Sequence, residues 1–244
     1  CTWCNTANFR AVLSSRTGGC PLKPTGNIIM SHIITRWWWI RHAPVTVANG
    51  RLYGQRNLPA DISDKKIFSH LAEIIPKPSI WITTPLQRTT QTANAIANAA
   101  GINPEYKIES AFIEQNFGDW QGMTWEELRK SKNNGFHRFW VAPANESAPS
   151  GESFIDVMKR VNPAIDKLTK TYKGKNIISV AHGGSIRAAI AHALKLSPEN
   201  ALGIMIENCS LSIIDHIKGP SKGEEWRINT INSYPHFNTQ EKLP

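Results

Sequence analysis

Ile33-Ile34-Thr35-Arg36-Trp37-Trp38-Trp39-Ile40-Arg41-His42-Ala43 reads as a buried strand that stops on a cation and an imidazole. Successive strand side chains face opposite sides of a sheet, so three consecutive tryptophans are best read as core filling in a sheet covered on both faces. That points to an α/β architecture. Arg41 and His42 then stand at the carboxyl end of the strand, the edge at which open α/β sheets bind ligands. A guanidinium beside a neutral imidazole suits the holding and attack of a phosphoryl group. An Arg-His pair also arises by chance, so its meaning depends on partners elsewhere in the chain.

Outward from this stretch, two further apolar runs, 80–82 and 177–180, are each followed by residues with helical spacing. The first leads into Thr84-Pro85-Leu86-Gln87-Arg88-Thr89-Thr90-Gln91-Thr92-Ala93 and the second into Ala181-His182-Gly183-Gly184. Both therefore lie at strand carboxyl ends, like Arg41-His42. The pattern predicts strands over 33–41, 79–83 and 177–181 and helices over 65–75, 86–100 and 186–194, with Gly101 as a helix-ending residue. Thr124 with Glu127 three positions on forms a capping box. Apolar residues spaced three or four apart predict a helix over 153–171, in which Pro163 should produce a kink. Strands over 202–206, 210–216 and 226–231 are expected to close the sheet, the last group antiparallel, with Gly219, Pro220 and Gly223 in a turn.

The chemistry follows from residue types. A phosphomonoester carries about two negative charges on its non-bridging oxygens, and these must be held while a nucleophile attacks in line. Arg41 and Arg88 supply guanidinium forks, and His182, if protonated, a third donor. His42 must be neutral to attack, giving a phosphohistidine that water then hydrolyses. Glu114, in Glu114-Gln115-Asn116-Phe117-Gly118-Asp119-Trp120-Gln121-Gly122, is the best proton donor to the departing alkoxide and can take a proton from water in the second step. This scheme needs no metal and no cofactor.

Each residue also has a plain reading. Arg88 alone would be a solvated charge, yet a cation in a first helical turn opposes the helix dipole unless an anion binds nearby. Glu114 alone would be a surface carboxylate, and His182 alone a core histidine bonded to a carbonyl. It is their joint order that favours a site.

That order, RH(G/A), (S/T)PLxRTxxTA, an acidic residue ahead of (F/Y)GxWxG, then HGG, resembles the histidine phosphatase superfamily, also called phosphoglycerate mutase-like, from about Arg36 to Asp215. The resemblance implies a three-layer α/β/α sandwich with a mainly parallel sheet and an antiparallel edge. It also implies catalytic roles for Arg41, His42, Arg88, Glu114 and His182. The loop after His42 departs from the mutase-like form RHGExxxN, having Ala43, Pro44 and Ala48 in place of Gly, Glu and Asn. Its form RHxxVxxxxGxxYGQ is similar to α-ribazole phosphatases, which implies that Tyr53, Gln55 and Gly183 contact substrate. Tyr53-Gly54 can equally be a structural turn. Mutase-type transfer to a phosphoglycerate, action on a protein phosphohistidine, and a non-catalytic phosphate-binding role remain as alternatives.

Composition bounds the rest. At 244 residues and 41% hydrophobic content the chain can bury one large core. The net charge of +9 is concentrated early: residues 1–60 hold seven Lys or Arg and no acid, leaving 21 against 19 beyond. No basic stripe with interleaved aromatics is present, so a small anionic substrate is expected rather than nucleic acid. Residues 1–29 show neither acids nor hydrophobic period and are expected to lie outside a single domain at 30–244. Met30 is then the natural start, and the upstream stretch a leader, cloning read-through or, less simply, a transit peptide. Cys1-x-x-Cys4 lacks the second pair that zinc requires, and Cys209 reads as a buried thiol, which fits a reducing cytoplasm. No apolar run approaches the roughly twenty residues that span a bilayer. Trp120 and Trp125 are placed at the mouth of the site, and 142–151, with Pro143 and Pro149, reads as a mobile loop suited to a lid.

Overall fold

A computed structural model describes residues 32–131, 142–219 and 223–234. The expectations for 1–29, Met30, the Cys1-x-x-Cys4 motif and Pro220 fall outside these residues. In chain order the elements are β1 (Ile33–Arg41), α1 (Lys65–Ile74), β2 (Ile80–Thr83), α2 (Gln87–Ala99), β3 (Tyr106–Ile108), α3 (Trp125–Ser131), α4 (Phe154–Thr171), β4 (Asn176–Ala181), α5 (Gly183–Leu194), α6 (Pro198–Leu202), β5 (Leu211–Lys218) and β6 (Glu224–Ser233). The sheet order is β3-β2-β4-β1-β5-β6. β3, β2, β4 and β1 run parallel, while β5 and β6 are antiparallel at one side.

The tryptophan run is divided between two layers. Trp37 and Trp39 stack at 5.0 Å on one face, in a core with α4, α5 and α6. Trp38 and Ile40 turn to the other face, where α1 and α2 pack. The buried indole of Trp37 donates to Thr169 Oγ1 at 2.9 Å, so a large ring enters the core without a lost hydrogen bond. α4 runs through Pro163 as one 18-residue helix. Its amino end is closed by a capping box in which Ser153 and Asp156 bond reciprocally. The Thr124–Glu127 box is also present, and Gly101, at φ +65°, takes the left-handed position after α2.

One expected strand is absent. The chain at 202–206 is not in the sheet: Ser197 caps the short helix α6, with Pro198 in its first turn. The carbonyls that follow bond arginine side chains instead of a neighbouring strand. Ile204 O accepts from Arg187 Nε at 2.7 Å and Ile206 O from Arg41 Nη1 at 2.6 Å. β3 has no counterpart in the sequence reading, since three half-exposed residues carry no usable period.

Asp215 on β5 is buried between strands and accepts from Arg36 at 2.6 and 2.9 Å and from Arg227 at 2.8 Å. Burial alone would raise its pKa, but hydrogen bonds from Arg36, Arg227 and Asn229 outweigh it and hold the group at about 2, down from 3.8. A carboxylate depressed in the folded state contributes stability that is present above about pH 4 and lost as pH falls towards the folded value. Asp215→Asn is therefore expected to cost about 2 kcal/mol in urea unfolding at pH 7, with the difference from wild type shrinking at acid pH.

Candidate active site

The backbone of His42 is fixed from three sides. Its N–H donates to Ala181 O at 3.0 Å, extending the β1–β4 pairing. Its carbonyl accepts from Asn208 Nδ2 at 2.8 Å, and the next amide, Ala43 N, donates to Thr92 Oγ1 at 2.9 Å. Ring Nδ1 lies 2.7 Å from Ala43 O. A carbonyl only accepts, so Nδ1 carries the proton and Nε2 presents a lone pair. Nε2 is buried and has no hydrogen-bond partner. Burial, then Arg88 and Arg41, push the ring well below its ordinary pKa of 6.5, so it is neutral at physiological pH.

Two arginines converge on this ring. Arg88, in the first turn of α2, is fully buried. Its Nη1 and Nη2 donate to Arg56 O at 2.8 Å and Gly54 O at 2.6 Å, and the guanidinium carbon lies 5.1 Å from the Tyr53 ring centroid. Neither Arg41 nor Arg88 pairs with a carboxylate among the described residues, and the Nε of each is buried without a partner. Leaving cations so placed is costly unless an anion is to be bound.

Glu114 comes from the loop after β3. Its Oε1 accepts from Gln115 N at 2.9 Å and Gly184 N at 3.1 Å. A Cβ on Gly184 would lie 2.5 Å from that oxygen, which explains a glycine here. The carbonyl of Glu114 is held by Gln55 Nε2 at 2.8 Å and Arg160 Nη2 at 3.1 Å. Arg160 is in turn paired through Nη2 and Nε with Glu152 at 2.7 and 3.1 Å. Gln55, expected against substrate, is thus also bonded to the loop that carries the acid. Gly183, the first residue of α5, packs against the guanidinium groups of Arg41 and Arg187, where a Cβ would stand 3.7 and 3.3 Å away.

His182 follows β4, just ahead of α5, with its ring 5.1 Å from that of His42. Nε2 lies 2.9 Å from Thr84 Oγ1, while Nδ1 is buried and unpartnered. Burial, then His42, Arg88, Arg41 and Arg160, push its pKa well below 6.5. The condition set for a cationic third donor, a protonated ring, is thus disfavoured in the free site by burial and by the arginines around it.

Beside these groups opens a cavity of about 390 Å³ that borders Arg41, Glu114 and Asn208. Its lining is mostly apolar, with Leu52, Tyr53, Phe117 and Trp125, but also carries Thr46 and Arg51. The Tyr53 ring stands 6.3 Å from His42. Trp125 reaches the mouth as expected, whereas Trp120 packs in a small cluster with Phe117 and Leu128. The segment expected to be a lid is tied down. Ala142, Ala144 and Ala148 are buried, Ala144 N donates to Glu199 at 2.6 Å, and Asp119 N donates to Pro149 O at 2.9 Å. Sequence reasoning missed Asn208, Arg160 and Glu152. None sits in a motif, and their roles arise only where loops meet.

Comparison with known proteins points to one family. The profile of the histidine phosphatase superfamily (branch 1) matches residues 37–232. The bifunctional protein Rv2228c of Mycobacterium tuberculosis is 26% identical over 185 residues, covering 74% of this chain and 50% of that protein. The chain thus spans about half the length of that relative. A glucosyl-3-phosphoglycerate phosphatase of Mycolicibacterium vanbaalenii is 28% identical over 219 residues, covering 82% of this chain and 95% of its own. The structure of a candidate α-ribazole-5′-P phosphatase from Escherichia coli superposes with a TM-score of 0.65 at 21% identity, covering 82% of this chain and 97% of that one.

Proposed function

The chain belongs to the histidine phosphatase superfamily, branch 1, and from that premise we propose that it hydrolyses a small phosphomonoester through a phosphohistidine at His42. One observation carries the reading. Among the described residues, every buried side-chain nitrogen without a hydrogen-bond partner belongs to Arg41, His42, Arg88 or His182. Three of these can be donors and one is a lone pair, the set that an anionic phosphoryl group under attack requires.

The steps balance without a further reactant than water. Phosphoryl oxygens take hydrogen bonds from Arg41 Nε and Arg88 Nε. The Nε2 lone pair of His42 attacks phosphorus as the bond to the leaving oxygen breaks, and protonated Glu114 gives its proton to that oxygen. Water then attacks the phosphohistidine, Glu114 takes the water's proton, and phosphate leaves with the electron pair returned to Nε2. The guanidinium groups supply the positive charge that metal ions supply in other phosphoryl-transfer sites, so the reading includes no metal.

The substrate is a small phosphorylated metabolite whose leaving group meets a mostly apolar wall. Tyr53, Phe117 and Trp125 offer a ring apolar contact, while Arg51 in the same lining can meet a polar group of the substrate. With the loop form around Tyr53-Gly54-Gln55, this supports α-ribazole 5′-phosphate. The test is phosphate release from a panel of α-ribazole 5′-phosphate, phosphoserine, 3-phosphoglycerate and p-nitrophenyl phosphate. Release with the highest kcat/KM for the ring-bearing metabolite is expected. Conversion of 3- to 2-phosphoglycerate with a bisphosphate primer, and no release from any of the four, would overturn the reading in favour of a mutase. Glu114→Gln is expected to slow alkyl esters by about 10²- to 10⁴-fold and p-nitrophenyl phosphate far less, because a good leaving group needs no proton.

A further inference from the structure

We propose that Thr84 is a positioning residue that sets the direction of the proton on His182, so that a neutral imidazole presents an Nδ1–H donor to the bound phosphoryl group. The inference rests on the phosphatase reading for what is bound, and on hydrogen bonds within the chain for everything else. Thr84 follows β2 and is 1% exposed. Its Oγ1 lies 2.9 Å from His182 Nε2, 3.1 Å from Thr89 Oγ1 and 3.3 Å from Leu86 N. Leu86 N can only donate. Thr89 Oγ1 accepts from Thr84 N at 3.1 Å and donates to Leu86 O at 2.8 Å.

Two proton arrangements satisfy this network. In one, the Thr84 hydroxyl donates to Thr89 and accepts from His182 Nε2–H, leaving a lone pair on Nδ1. In the other, the hydroxyl donates to Nε2 and the ring proton sits on Nδ1. With a phosphoryl group in place the first sets a lone pair against anionic oxygens, and the second sets a donor there. Binding therefore selects the second: the Thr84 hydroxyl turns towards Nε2, the proton on Nε2 is lost and one is gained at Nδ1 by exchange with water or the bound anion, and the ring's charge does not change.

The surroundings of His182 make a neutral donor the economical solution. Arg41 and the His42 ring face it from the end of β1, Arg88 from α2 and Arg160 from α4. Glu114 bonds the neighbouring Gly184 amide. In the free site a second ring proton is opposed by burial and by the three guanidinium groups, and the Thr84 bond to Nε2 lets the tautomer supply the hydrogen bond with no change of charge.

The test is two-bond ¹⁵N–¹H NMR of the full chain labelled at histidine, titrated with inorganic phosphate, for wild type, Thr84→Val and Thr84→Ser. Saturated wild type is expected to show His182 neutral and protonated at Nδ1. The fixed Nδ1–H of His42 serves as the mark of an intact site. In Thr84→Val, with that mark retained, His182 is expected to lose its single-tautomer signature and kcat/KM to fall by about 10- to 100-fold, while Thr84→Ser keeps both within about threefold. A His182 that is doubly protonated, protonated at Nε2, or unmoved by phosphate would overturn the inference. So would a Thr84→Val enzyme as active as Thr84→Ser. None of these results touches the assignment of the nucleophile, which fails separately if His42→Ala stays active.

Discussion

His42→Ala lowers kcat for phosphate release by at least about 10⁴-fold, the scale on which loss of a covalent nucleophile registers when the rest of a site survives. The expectation comes from geometry. Among the four unpartnered buried nitrogens of the described residues, Nε2 is the one whose lone pair is fixed, because Nδ1 is committed to Ala43 O. Nothing nearby replaces it. His182 is placed by Thr84 and shares the field of the same arginines, and Cys209 has its thiol pKa raised to about 12 by burial, which keeps it protonated and unreactive. The fold should be indifferent to the change. Residue 42 is held through its backbone by Ala181 and Asn208, and alanine keeps both bonds. Circular dichroism and a thermal midpoint close to wild type, beside lost turnover, are the expected pair of readings.

Arg88→Lys gives the second large effect, and it differs in kind because both activity and stability fall. Lysine offers one ammonium where arginine offers a planar fork, so it cannot meet Gly54 O and Arg56 O and still aim a donor at phosphate. The carbonyls left unsatisfied belong to the loop that carries Tyr53 and Gln55, hence to the cavity wall and to the support of Glu114. A loss of about 2–3 kcal/mol in urea unfolding is expected from a broken, buried, charged hydrogen-bond set. A fall in kcat/KM of about 10²- to 10³-fold accompanies it from the misplaced donor. Saturating phosphate should raise the midpoint of wild type more than that of the variant, since the anion is what these cations bind.

The parts legible from sequence are those in which local pattern and chemistry coincide. Trp37, Trp38 and Trp39 announced a sheet covered on both faces because strand alternation leaves little choice. Arg41, His42, Arg88 and His182 could be placed at one edge because each follows an apolar run that reads as a strand. The failures have equally local causes. Residues 202–206 have strand-like apolarity, but Ser197-Pro198 starts a helix just ahead and the carbonyls of Ile204 and Ile206 bond arginines. The stretch 142–151 looked mobile from its prolines, yet small alanines let it sink into the surface, which composition does not reveal. The support that Gln55 gives the Glu114 carbonyl was not legible in its motif, because that bond joins residues far apart in the chain. The protonation of His182 depended on a field of arginines that assembles in three dimensions.

The most direct measurement is rapid quench of the enzyme with substrate into alkaline denaturant, which preserves a phosphorus–nitrogen bond, followed by peptide mass spectrometry. A phosphoryl group that appears on His42 within one turnover, decays as phosphate is released, and is missing from His42→Ala is the expected result. Product formed at the full rate with no phosphoryl group on any peptide, or with the group on another residue, would contradict it.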